Sequence, residues 1–170
     1  MALLRTVTFS YSSREDRVLA ALNVGQPDAW SCWITRRLAL AVIEGAAKFL
    51  ASTSPLAKRA ASAHQRELAQ FERQSAMAST AKALSVSSKD DLKASATAAE
   101  LAERVTLTNQ GERFRVEFWG DRAGKAIGVV ARPELQRIIG MLEVEVEKAR
   151  WTNSSGAPIV EAVAPKAVHH

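Results

Sequence analysis

Apolar and polar residues alternate over residues 5–11. Val7, Phe9 and Tyr11 fall on one side and Thr6, Thr8 and Ser10 on the other, the two-residue period of a half-buried strand. Residues 17–24 repeat the alternation with Val18, Ala20, Leu22 and Val24, and the polar run at 12–16 between them has hairpin length. An antiparallel hairpin is therefore expected. The Gly25-Gln26-Pro27-Asp28 run breaks it, and the apolar spacing then becomes three and four. Trp30, Trp33, Ile34, Leu38, Ala41 and Val42 follow that spacing behind Asp28 as N-cap, which predicts a helix reaching about Leu50. Ser52-Thr53-Ser54-Pro55 reads as a stop followed by a start, with Pro55 in the first turn of a second helix over 55–84. Its apolar stripe of Leu56, Ala60, Ala63, Leu68 and Phe71 is thin.

Residues 85–99 lack apolar periodicity and read as a linker or a frayed helical segment. Strand character returns at 104–108, 113–119 and 126–131, separated by Asn109-Gln110-Gly111-Glu112 and by Gly120-Asp121-Arg122-Ala123-Gly124. In the middle strand Phe114, Val116 and Phe118 face one way and Arg113, Arg115, Glu117 and Trp119 the other. Pro133 opens a last helix whose Leu135, Ile138, Ile139, Leu142, Val146 and Ala149 form the clearest apolar stripe in the chain.

The pattern predicts an α+β fold. An N-terminal hairpin and a C-terminal three-stranded meander build an antiparallel sheet, helices cover it, and one long helix lies in the centre. Val7-Thr8-Phe9-Ser10 rhymes with Val105-Thr106-Leu107-Thr108, so an internal duplication of a strand-strand-helix unit is possible, with pseudo-repeats at 1–50 and 101–151 joined through 52–100. Residues 1–151 read as one domain. Residues 152–170, with Gly156, Pro158 and Pro165, read as a flexible tail.

With 170 residues and 47% apolar content, the chain can bury a core of its own. Its one cysteine, Cys32, offers no internal disulfide, and no leader pattern or membrane-length apolar run is visible, so a cytoplasmic protein is expected. Charge changes the picture further. Residues 36–93 hold ten Lys or Arg against five Asp or Glu, which accounts for the net +5, since thirteen of each sign lie elsewhere. Lys58, Arg59, Arg66, Arg73 and Lys82 punctuate the second helix and are candidate contacts to a nucleic-acid backbone. A solvated helix face is the simpler reading of the same pattern.

Chemistry is poorly represented. His64, His169 and His170 lie far from Cys32 with no ligand spacing, so neither a metal nor a cofactor is expected, and His169 and His170 read as terminal remnants. Cys32 reads as a small packed hydrophobe, and Glu143 and Glu147 as a solvent-exposed pair and not an acid/base couple. Trp30, Trp33 and Arg37, read on one side of a helix, form a candidate protein interface, since tryptophan and arginine dominate interface hot spots. The expectation is a non-enzymatic binding or assembly subunit whose partner is another protein or its own copies. The alternative is nucleic-acid binding by the basic central helices.

Overall fold

The computed structural model describes residues 1–53, 67, 71, 74–76, 78 and 88–151. The strands are β1 (Ala2–Leu3), β2 (Val7–Ser12), β3 (Arg17–Leu22), β4 (Trp30–Thr35), β5 (Glu100–Gln110), β6 (Arg113–Gly120) and β7 (Lys125–Ala131). The helices are α1 (Arg36–Thr53), α2 (Lys89–Ala98) and α3 (Arg132–Lys148). The fold is α+β. Of the predicted long central helix, Glu67, Phe71, Gln74, Ser75, Ala76 and Ala78 are helical. The rest of that prediction, and the tail at 152–170, lie outside the described residues.

All seven strands join one sheet in the order β1-β7-β6-β5-β4-β3-β2. The hairpin of β2 and β3 and the meander of β5, β6 and β7 form as their alternation predicts. The sheet is mixed, however, and not antiparallel as expected: β1 runs parallel to β7, and β4 parallel to β5. The cause is a strand that the apolar spacing concealed. Trp30–Thr35 is the interior strand β4 and not the first turns of a helix, so the N-terminal unit is itself a three-stranded meander. Tryptophan, isoleucine and threonine suit a pleated surface, and ladders to both β3 and β5 outweigh a helical spacing of six residues. The long passage from β4 to β5 through α1 and α2 then returns the chain parallel to its starting direction, as a crossover must. Helix α1 starts seven residues later than read, with Thr35 in place of Asp28 as the cap, its Oγ1 accepting the Leu38 amide at 3.3 Å.

Strand register divides the sheet into two faces. The core face carries Phe9, Val18, Ala20, Leu22, Cys32, Ile34, Phe114, Val116 and Phe118, and α1 and α3 pack against it. Leu135, Ile138, Ile139, Leu142 and Val146 of α3 are all buried, as the stripe predicts. Arg132 links the two helices: its guanidinium donates to the Leu50 carbonyl (3.2 Å) and to Thr53 Oγ1 (2.7 Å), placing a cation at the α1 C-terminus. After α3, Arg150 turns through a positive φ of 55° and buries Trp151, whose Nε1 donates to Asp16 at 3.0 Å beside Tyr11.

The N-terminal segment closes the sheet on itself. Leu3 and Val7 are four residues apart, so at most about 14 Å separates them. Yet β1 and β2 stand at opposite ends of the strand order, about 29 Å apart if six spacings lay flat. The sheet is therefore rolled, and residues 4–6 bridge its seam. Asn23, fully buried, clamps that bridge: its Oδ1 accepts from the amides of Arg5 (3.0 Å) and Thr6 (3.2 Å), and its Nδ2 donates to the Leu3 carbonyl and to Asp28. Gly128 admits the bridge, because a Cβ there would lie 2.6 Å from the Leu4 side chain.

Candidate functional site

The residues singled out from sequence do not converge. Trp30 and Trp33 stand on opposite faces of β4, since three residues along a strand reverse the side, and the proposed one-sided patch with Arg37 does not exist. Trp30 sits at the edge of the core, its Nε1 donating to Glu100 Oε1 at 3.0 Å. Trp33 occupies the outer face between Leu19 and Leu101, and Arg37 is exposed in the first turn of α1. Lys58, Arg59, Arg66, Arg73 and Lys82 lie outside the described residues.

Among the described residues the outer face is covered on one half only. Helix α2 starts at Ser88, whose side chain accepts the Asp91 amide, and packs on β3 and β4, with Ser31 Oγ donating to the Ser95 carbonyl at 2.6 Å. Leu19, Ala21 and Ser31 are buried beneath it. Over β5, β6 and β7 no described helix packs on this side.

That open half segregates charge. Residues 100–131 hold five acids and five bases and looked neutral in sequence. Register places Arg104 of β5, Arg113, Arg115 and Trp119 of β6, and Lys125 of β7 on the outer face, with Glu117 the one acid among the ladder pairs there. Arg104 and Lys125 are the cross-strand neighbours of Trp119, one on each side. The Arg104 Cζ and the Lys125 Nζ each lie 4.7 Å from the indole centroid, so the ring is a post between two cations. Its own N–H is buried and finds no acceptor among the described residues, so the ring faces are what engage it.

The carboxylate on this face is already committed. Glu117 accepts from Arg115 at 2.8 Å and from Thr106 at 3.0 Å, and the Arg115 guanidinium holds it below the usual carboxylate range. Arg104, Arg113 and Lys125 have no carboxylate within ion-pair distance among the described residues. The strand parity of Trp119 was visible in sequence. Its cationic neighbours were not, because they come from two other strands whose register the sequence leaves open.

Other polar groups are structural. Glu100 fills the β6–β7 turn, accepting from Trp30 Nε1 and the amides of Arg122 and Gly124 (both 3.1 Å), and a Cβ at Gly124 would overlap its carboxylate. Burial, with the charge of Glu100 second, pushes the Cys32 thiol up to about 12, so it stays protonated and unreactive. Among the described residues no three His, Cys, Asp or Glu side chains gather as a metal site would require, and no helix is long and apolar enough to cross a membrane. Comparison with protein-family models, curated proteins and solved structures finds no match to this chain.

Proposed function

We propose that the protein binds single-stranded nucleic acid across the outer face of β5, β6 and β7, by contact and without chemistry of its own. The observation that carries the reading is the Arg104–Trp119–Lys125 arrangement. Two cations without carboxylate partners are held stiff on an open sheet face, where they meet phosphates at reduced entropic cost. A sheet face offers no projecting helix to enter a duplex groove, whereas a single strand can lie along it with bases stacking on guanidinium planes. Phosphate contacts carry no sequence information, so the proposed binding is sequence-tolerant.

The proposal includes an internal duplication of the meander-plus-helix unit. β2-β3-β4-α1 and β5-β6-β7-α3 share one plan, and α2 covers the outer face of the first while leaving the second open.

The test is fluorescence anisotropy of labelled single strands and of duplex. Salt-sensitive binding that prefers single strands, and is lost on replacing Arg104 and Lys125 by Ala in a folded protein, supports the reading. Loss only on charge reversal at Arg59, Arg66 and Arg73 moves the interface to the central basic segment.

A second reading, self-association, rests on an apolar groove of about 290 Å³ between α1 and β5, lined by Leu38, Val42, Gly45, Phe49, Val105 and Leu107. Phe71, 69% exposed on a helical segment, supplies an aromatic that a second copy would seat there. A concentration-dependent mass in light scattering that Phe71→Ser abolishes, with no oligonucleotide binding, would favour it over the first.

A further inference from the structure

From the seam of the rolled sheet we infer a second binding site, for a small carboxylate with an apolar body. β1 pairs with only Ala126 and Ile127 of β7, so beyond them β7 and β2 face each other unpaired. A cavity of about 180 Å³ opens in that gap, under the stripe of α3 that carries Glu134, Arg137, Ile138 and Met141. This is the size of space that holds a benzene-sized molecule, for which about 150 Å³ suffices.

Among the charged side chains that line the cavity, Arg5, Glu134 and Arg137, one has no partner among the described residues. Arg5 pairs with Asp28. Glu134 accepts the Ala131 amide at 2.8 Å as part of the α3 start. Arg137 makes no hydrogen bond or ion pair among the described residues, and its Nε is buried. A guanidinium inserted beside a partly open cavity, with a buried N–H unmatched, is satisfied by an incoming anion that accepts in its plane. A monoanionic carboxylate fits better than phosphate, because Glu134 on the same lining disfavours a second negative charge, while Leu4, Val130, Ile138 and Met141 supply an apolar wall and Thr6 and Thr8 add hydroxyl donors. The site lies at the seam and not among Arg104, Trp119 and Lys125, so it is independent of the nucleic-acid reading.

The experiment is calorimetric and methyl-NMR titration of the full chain with hexanoate, and with hexanamide and inorganic phosphate as controls. Saturable hexanoate binding is expected, with shifts confined to the methyls of Leu4, Val130, Ile138 and Met141, and hexanamide and phosphate at least tenfold weaker. Arg137→Met keeps the aliphatic stem and should reduce hexanoate affinity at least tenfold with the circular-dichroism spectrum unchanged. Arg137→Lys, which retains the charge, should recover part of it. Absence of saturable wild-type binding, equal binding of hexanamide or phosphate, or an Arg137→Met variant that binds hexanoate as well as wild type would each overturn the assignment. Oligonucleotide affinity that is unchanged at saturating hexanoate keeps the two sites distinct, and mutual displacement would refute their independence.

Discussion

Replacing Trp119 by Leu separates the post from the cations it holds. Three cations of the outer face lack carboxylate partners, Arg104, Arg113 and Lys125, while Arg115 is balanced by Glu117. A single strand neutralised by three cations gives a log–log salt slope of about −2.1, so raising salt from roughly 50 to 200 mM should cost about 18-fold in affinity. Trp119→Leu retains all three charges, and the slope should not move. It removes two cation–π contacts, each about 0.5–1 kcal/mol. Arg104 and Lys125 then regain rotamer freedom that binding must take away again, at roughly 0.5–1 kcal/mol per side chain. The expected loss is about 1–2 kcal/mol, or roughly 5- to 30-fold in affinity at every salt concentration. Replacing Arg104 and Lys125 together by Ala should do the reverse and flatten the slope to about −0.7. Anisotropy titrations of a labelled oligothymidine at four salt concentrations measure both quantities. A Trp119→Leu protein that binds within twofold of wild type, or whose slope falls with its affinity, would refute the post argument.

Other expectations concern the frame that positions this face. Asn23→Ala leaves the amides of Arg5 and Thr6 without their acceptor and forces alanine to φ 51°, so urea denaturation should register a loss of about 3–5 kcal/mol, with Asn23→Gly roughly 1 kcal/mol less affected. Leu142, 2% exposed, faces the core from α3, and Leu142→Asp should yield insoluble or unfolded protein by circular dichroism because it buries an unpaired charge. Cys32 should react with a thiol reagent only on unfolding. Since its folded value of about 12 lies above the unfolded 9.0, its contribution is complete below pH 9 and declines as pH rises toward 12. The stability difference between wild type and Cys32→Ala should thus shrink by about 1.4 kcal/mol at pH 10 relative to pH 8.

Much of the fold was legible because its signals are local. Alternation in Val7-Phe9-Tyr11 and in Phe114-Val116-Phe118, and the three-and-four spacing of Leu135-Ile138-Ile139-Leu142, identify their elements without knowledge of any neighbour. Trp30–Thr35 was misread because Trp30, Trp33 and Ile34 satisfy a helical spacing over a window too short to exclude a strand. What makes it a strand is non-local: β3 on one side and β5, some seventy positions later, on the other. Losing that strand also hid the parallel pairing, since a two-stranded N-terminal hairpin implies no crossover. β1 was invisible for a similar reason, being two residues long and defined only by its partner β7.

The candidate site failed to appear in sequence for a different physical cause. Along the chain the positive excess lies in residues 36–93, and residues 100–131 balance at five against five. Folding sorts those ten charges by position: Glu100 is drawn into the β6–β7 turn, Asp121 exchanges hydrogen bonds with Leu101, and Glu117 pairs with Arg115. Arg104 and Lys125 are carried to the two sides of one indole by the ladders of β5 and β7 to β6. A neutral segment thus presents a cationic face. The unbroken ladder from Arg104 to Gln110 sets this arrangement, and the bulge at Ala102/Arg104 loops out Glu103 so that Ala102 can still face the core opposite Gly120. Deleting Glu103 makes Ala102 and Arg104 consecutive, so β5 should alternate regularly with Ala102 still opposite Gly120 and Arg104 still opposite Trp119. Oligonucleotide affinity and its salt slope should survive the deletion, and loss of either would refute the looped-out reading of Glu103.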